Sequence, residues 1–289
     1  MFETFEQTQI NTSGASIHLV KGGNGFPLLL LHGYPETHLM WHKIAPHLAQ
    51  EFTVVAPDLR GYGDSSKPKG DSDHYNYSKR AMAQDMIEVM TQLGFEEFFV
   101  IGHDRGARVG HRMALDHAQR VRKLAVLDIA PTYNMYMTAD KAFATAYYHW
   151  FFLIQPYDLP ERLIGSQPQY YLRSCLTRWS SDTAAFTPEL VEEYVRCFSN
   201  PATIHATCED YRASATIDLI HDKTDMSQKV MCPLLALWGE KGFVGRKYDV
   251  LETWRERASD VRGGALPSGH FIPEEAPDET YRALREFLS

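Results

Sequence analysis

No apolar run in the chain approaches the roughly 18 residues that a membrane-spanning helix needs, so no transmembrane segment is expected. The N-terminus, Met1-Phe2-Glu3-Thr4-Phe5-Glu6, lacks the basic region and apolar stretch of a secretion signal, which reads as a cytoplasmic protein. Cysteine is scarce: the four residues Cys175, Cys197, Cys208 and Cys232 are widely spaced and form no CxxC pair, as expected of reduced thiols rather than disulfides or a zinc site. Positive charge is in deficit. A formal net charge of −8 argues against nucleic acid or an anionic membrane as partner. It also means that an anionic substrate meets a repulsive overall field, so a site for one needs its own concentrated positive charge. The glycines of Gly22-Gly23-Asn24-Gly25 and those around Asp104 do not make a GxGxxG fingerprint. His38 and His42 have metal-ligand spacing but no accompanying Glu or third ligand. No cofactor and no metal are expected.

What is present is enough apolar residue for a large core: 44% of 289 residues, fitting one domain with an insertion or two domains in close contact. Residues 7–10 and 15–20 flank the turn formers Asn11-Thr12-Ser13-Gly14 and read as an antiparallel hairpin. The continuous apolar runs 26–31, 98–101, 123–127 and 233–238 read as strands buried on both faces. Helical patterns over 40–50, 78–93, 105–117, 250–258 and 278–288 separate or follow them, with a further strand at 52–56. This alternation predicts an α/β fold with a mostly parallel sheet flanked by helices and chemistry at the carboxyl ends of the strands. Between 133 and 229 the strand rhythm is replaced by aromatic and helical composition. That predicts a core of 1–132 and 230–289 and an inserted helical cap of 133–229.

The strand 98–101 ends in Gly102-His103-Asp104-Arg105-Gly106 and a helix follows. This is the frame of a nucleophile elbow, Gly-x-Ser-x-Gly, in which a sharp strand-to-helix turn lifts the nucleophile above the sheet. Here the central residue is Asp104. A carboxylate is already ionised at neutral pH and suits displacement at a saturated carbon, so the expected intermediate is an alkyl ester of Asp104. Arg105 and Arg108 fall in the first turn of the following helix, where they can flank the mouth of the site. Cations are electrostatically misplaced at a helix N-terminus, which favours a functional reason, and a guanidinium pair can grip a carboxylate by bidentate hydrogen bonds.

Six segments together resemble the α/β-hydrolase superfamily, and more narrowly the haloacetate dehalogenases, whose best-known members are fluoroacetate dehalogenases. They are His32-Gly33-Tyr34-Pro35, Pro57-Asp58-Leu59-Arg60-Gly61-Tyr62-Gly63, Gly102-His103-Asp104-Arg105-Gly106-Ala107-Arg108, His149-Trp150, Cys208-Glu209-Asp210-Tyr211-Arg212 and Ser268-Gly269-His270-Phe271. The family usually has Phe at the position of Tyr34, so the pocket gains a hydroxyl here. Position selects His270 among 13 histidines as the base that activates water against the ester. No aspartate follows the strand 234–238, where Gly239-Glu240-Lys241-Gly242 stands, so Asp128 is the expected acid that orients His270. The backbone N–H groups of Tyr34 and Arg105 are the expected oxyanion hole. On their own His149, Trp150 and Tyr211 read as an aromatic core; the resemblance implies that they donate hydrogen bonds to the departing halide.

The implied reaction is hydrolytic dehalogenation of a short, anionic 2-haloacid by water, giving a 2-hydroxy acid and halide. An epoxide hydrolase shares the aspartate nucleophile, the His-Gly-x-Pro motif and a cap tyrosine, but has no carboxylate for an arginine pair to hold. An ester hydrolase would carry serine in place of Asp104. A non-catalytic receptor on this scaffold would have no need of Asp104, Asp128 and His270 together. The resemblance also implies a homodimer.

Overall fold

The computed structural model describes all residues, Met1–Ser289. Eight strands form one sheet: β1 (Glu6–Asn11), β2 (Ser16–Gly22), β3 (Phe26–Leu31), β4 (Phe52–Pro57), β5 (Phe98–His103), β6 (Val121–Leu127), β7 (Leu234–Gly239) and β8 (Val261–Leu266). Their order across the sheet is β1-β2-β4-β3-β5-β6-β7-β8. The N-terminal hairpin is antiparallel and β2 joins β4 antiparallel, while all the other pairs are parallel. The sheet is therefore mostly parallel, as the alternating pattern predicts.

The unbroken apolar runs exist because both sheet faces are covered. Leu28 and Leu30 point to one side and pack with Met40, Trp41, Leu284 and Phe287, whereas Leu29 and Leu31 point to the other, where Met82, Met86 and Met113 meet them. The helix Lys79–Gln92 starts where the Ser78 hydroxyl accepts the Ala81 N–H and stops before Gly94, whose φ of 84° only glycine adopts without cost.

Two expectations are corrected. The pattern over 40–50 is not one helix but a 3-10 turn, His38–Trp41, and a separate short helix, Ala45–Leu48. Pro46 has no N–H to give a helix arriving from the preceding turn, so it starts a new one. The helix over 250–258 is shorter, Val250–Arg255, and the edge strand β8 follows it. Its Gly263-Gly264 pair and its mostly exposed or half-exposed residues hide the strand from pattern reading.

Between β6 and β7 the chain forms only helices. From this stretch the helix Tyr148–Phe152 and the long helix Pro201–Ala215 bring aromatic and charged residues over the carboxyl ends of β5 and β6.

Candidate active site

β5 passes directly into the helix Asp104–Asp116, and Asp104 at the junction takes a φ of 42°. A non-glycine residue in that region is strained and is held there by its surroundings. The flanking glycines make the close approach possible. A Cβ on Gly102 would lie 2.5 Å from Ala107 Cα, and one on Gly106 would lie 2.4 Å from the carbonyl oxygens of Leu31 and His32.

Asp128 follows β6 with a φ of 51°, and its Oδ2 lies 2.6 Å from His270 Nδ1 while Oδ1 accepts the Gly239 N–H at 3.0 Å. The carboxylate thus assigns the proton to Nδ1 and leaves Nε2 with a free lone pair that can accept a proton. Burial opposes charge on His270, but the hydrogen bond and charge of Asp128, with the charge of Asp104, outweigh it and raise the imidazole above its ordinary value. Burial likewise opposes charge on Asp104, yet His270, Arg108 and Arg105 hold its carboxyl below the usual range. Asp104 is therefore ionised wherever His270 is titrating. His103 Nε2 donates to the His270 carbonyl at 2.8 Å and ties the two catalytic loops together.

The Tyr34 N–H donates to Asp104 Oδ2 at 3.2 Å, and the Arg105 N–H lies in the first helical turn, where no intrahelical acceptor exists. The loop carrying Tyr34 is fixed from behind. His32 Nδ1 donates to the Gly33 carbonyl and its Nε2 accepts the Leu59 N–H, both at 2.9 Å, and burial keeps this ring neutral by lowering its pKa to about 4. Asp58 accepts the His38 N–H at 2.9 Å, the Asp64 N–H at 2.9 Å and the Nδ1 of both His38 and His18. These bonds explain why the His-Gly-Tyr-Pro and Pro-Asp-Leu-Arg motifs occur together: one side chain pins both loops. His18, His38 and Asp58 are close enough to share an ion, but the imidazole nitrogens that face Asp58 are already hydrogen-bonded to it.

The arginines depart from expectation in two ways. Neither flanks the mouth, since both are buried inside. Nor are they equivalent. Arg105 is held bidentately by Asp210 at 3.0 and 2.7 Å, with its guanidinium 4.2 Å from the centroid of the Tyr211 ring. Arg108 has no carboxylate in an ion pair. Its Nη1 donates to the Ala130 carbonyl and the Thr132 hydroxyl, its Nε has no partner, and its guanidinium lies 4.9 Å from the centroid of the Trp150 ring. Burial lowers its pKa, opposed chiefly by the charge of Asp104.

Asp104, Arg108, Tyr147, His149, Trp150, Trp179 and His270 line one small inner chamber of about 10 Å³. Tyr211 is not among its walls; its ring packs 5.7 Å from His149 and 6.4 Å from Trp150, centroid to centroid. His149 is buried without a partner at Nδ1, and burial lowers its pKa to about 3, so the ring is neutral and has one N–H to donate. The Tyr34 hydroxyl is buried without a partner of good geometry, and its ring packs against Tyr211 and Phe198. The molecule's largest cavity, about 660 Å³, lies elsewhere, around Arg60, Arg80 and Asp116, whose charges pair within the protein and which hold no nucleophile.

Three contributors escaped the reading of the sequence. Tyr147 and Trp179 wall the chamber, and only their place in an aromatic-rich segment marks them. Asp210 is the third. It takes up Arg105, Lys79 and the Tyr62 hydroxyl, all buried, and its signal is a helix, Pro201–Ala215, that puts Glu209, Asp210 and Arg212 inside together. Asp210→Ala leaves two buried cations without their shared partner, and the expected loss is about 3–5 kcal/mol of folding stability in urea titration. An unchanged midpoint would remove Asp210 from that role.

Comparison with known proteins fits this geometry. A family model described as the α/β hydrolase fold matches residues 27–277. A fluoroacetate dehalogenase from Burkholderia sp is 49% identical over 100% of this chain and 95% of its own length. A soluble epoxide hydrolase from Corynebacterium sp. (strain C12) is 37% identical, covering 99% and 97%. An α/β hydrolase from Nostoc sp PCC 7120 superposes with a TM-score of 0.99 at 68% identity over 100% of this chain and 99% of that one. With an elbow that carries aspartate in place of serine, the chain belongs to the α/β-hydrolase fold family, and within it to the dehalogenase group.

Proposed function

We propose that the protein is a hydrolytic dehalogenase that cleaves the carbon–halogen bond of short 2-haloacids, with 133–229 as its cap. The observation that carries this is Arg108: a buried guanidinium beside Asp104, on the wall of the small inner chamber, that forms no ion pair within the protein. A substrate carboxylate is the missing counter-ion. The fluoroacetate dehalogenase relative acts on a substrate of that kind.

In the first step an Asp104 oxygen attacks C2 of the bound acid from the side opposite the halogen. The new C–O bond inverts that carbon, and the halide leaves with the bonding electrons toward His149 and Trp150, which line the chamber, while Tyr211 packs behind them. The ester cancels the charge of Asp104, which removes one of the influences raising the pKa of His270 and makes its neutral form easier to reach. His270 Nε2 then takes a proton from water, whose oxygen adds to the ester carbonyl carbon. The Tyr34 and Arg105 N–H groups hold the oxyanion. Collapse expels the 2-hydroxy acid oxygen, which takes the proton back from His270, and the regenerated Asp104 carboxyl ionises. One water is consumed and one halide and one proton are released.

The experiment is halide release from fluoroacetate, chloroacetate and 2-chloropropionate, with styrene oxide as control. Release from the acids and no diol from styrene oxide is expected. The opposite result supports an epoxide hydrolase, a reading favoured by the 37% identical relative and by Tyr147, which lines the chamber beside Asp104 and has a hydroxyl to protonate an epoxide oxygen.

A further inference from the structure

With both arginines inside, the problem of bringing an anion to a protein of net charge −8 is unsolved by the chamber itself. Immediately outside lies a second cavity of about 240 Å³, which shares Tyr147, Trp179 and His270 with the inner one. Arg178, Lys241 and Arg246 stand on its walls. They come from three separate elements: Arg178 from the cap helix Pro168–Trp179, Lys241 from the loop after β7 and Arg246 from the helix Phe243–Lys247. All three are exposed, and none is in an ion pair, whereas their neighbour Lys247 is bound to Asp140. The carboxylates at this rim are spoken for or few. Asp128 is buried on His270, and Glu275 accepts the N–H groups of Gly269, Phe271, Ser181 and Asp182, which leaves Glu240 beside Lys241.

We propose that the outer cavity is the substrate entrance and that Arg178, Lys241 and Arg246 form an anion-collecting mouth that raises the local concentration of small carboxylates before they pass Tyr147 and Trp179 to Arg108. The inference rests on the anionic-substrate reading for its biological meaning and on the charge placement for its physics. Low-dielectric walls around a cleft of one sign focus the field, and free cations there act on an anion in spite of the overall negative charge. The mouth also divides the labour: the outer cations attract without specificity, and the inner arginine reads the carboxylate.

The test is the triple variant Arg178→Gln, Lys241→Gln, Arg246→Gln, checked by thermal melting. At low ionic strength its KM for chloroacetate should rise about tenfold or more with kcat unchanged. The parent's KM should climb with added salt while the variant's stays flat. A second measurement needs no catalysis. Trp179 is half-buried at the junction of the two cavities, and its fluorescence, isolated by subtracting a Trp179→Phe protein, should be quenched by iodide more than by caesium in the parent. The triple variant should lose that preference. Iodide preference without haloacid turnover would sustain the mouth and overturn the proposed substrate. Haloacid turnover with KM, salt response and quenching all unchanged in the variant would overturn the mouth and leave the function standing.

Discussion

Replacing His270 with asparagine is expected to stop turnover while leaving the first chemical step intact, so that the protein accumulates an ester on Asp104. The nucleophile is ionised without help from a base, because Arg108 and Arg105 still favour its charged form when the imidazole is gone. Only the attack of water needs His270 Nε2, which Asp128 frees by binding Nδ1. Loss of a general base costs on the order of 10²- to 10⁴-fold in that step. The substrate minus halide should then be found by mass spectrometry on the peptide containing Asp104. The same separation should appear in the parent as pH falls. In the ester the imidazole keeps the upward influence of Asp128 but loses that of Asp104, and free Asp104 lies below its ordinary value, so hydrolysis fails as pH drops through the imidazole pKa of the ester while alkylation continues. In that window the ester should build up, and above it should not.

Arg108→Leu is expected to have the second large effect. It removes the one arginine of the chamber that forms no ion pair within the protein, and so the partner of the proposed substrate carboxylate, and it takes a positive charge from beside Asp104. Leaving a charge buried without its hydrogen-bonded partner costs about 2–5 kcal/mol. That corresponds to a roughly thirtyfold to several-thousandfold fall in kcat/KM. The fold should survive, since no carboxylate of the protein loses an ion pair. Arg105→Leu differs: it strands Asp210, so its dominant effect should be a lowered melting temperature. Equal activity and equal stability losses in the two variants would mean that the arginines are not divided in this way.

The buried strands and the elbow were legible because each obeys a local rule. Strands covered on both faces must be apolar throughout, as at Phe26–Leu31, and a strand entering a helix with no linker needs small residues where Gly102 and Gly106 stand. Tyr34, Asp128 and His270 were legible because they terminate or follow such elements at fixed places. What escaped depends on contacts between distant segments. Nothing near Arg105 in the chain announces that Asp210, over a hundred residues later, will neutralise it, and that pairing is what makes two similar arginines unlike. β8 escaped because its glycines carry no periodicity, and the helix expected over 40–50 was broken by Pro46. The need for concentrated positive charge was legible but was assigned to Arg105 and Arg108; Arg178, Lys241 and Arg246 come from separate elements that only the fold brings to one cavity.

The central claim is that Asp104 forms a bond to the substrate carbon and that water attacks the aspartyl carbonyl, not the substrate. A single turnover of excess enzyme on chloroacetate in oxygen-18 water tests it most directly. The label should appear in the Asp104 peptide, and the hydroxy acid of that first turnover should be unlabelled. A labelled hydroxyl in the product with an unlabelled Asp104 would mean that water attacks C2 directly, and the nucleophilic role of Asp104 would be contradicted.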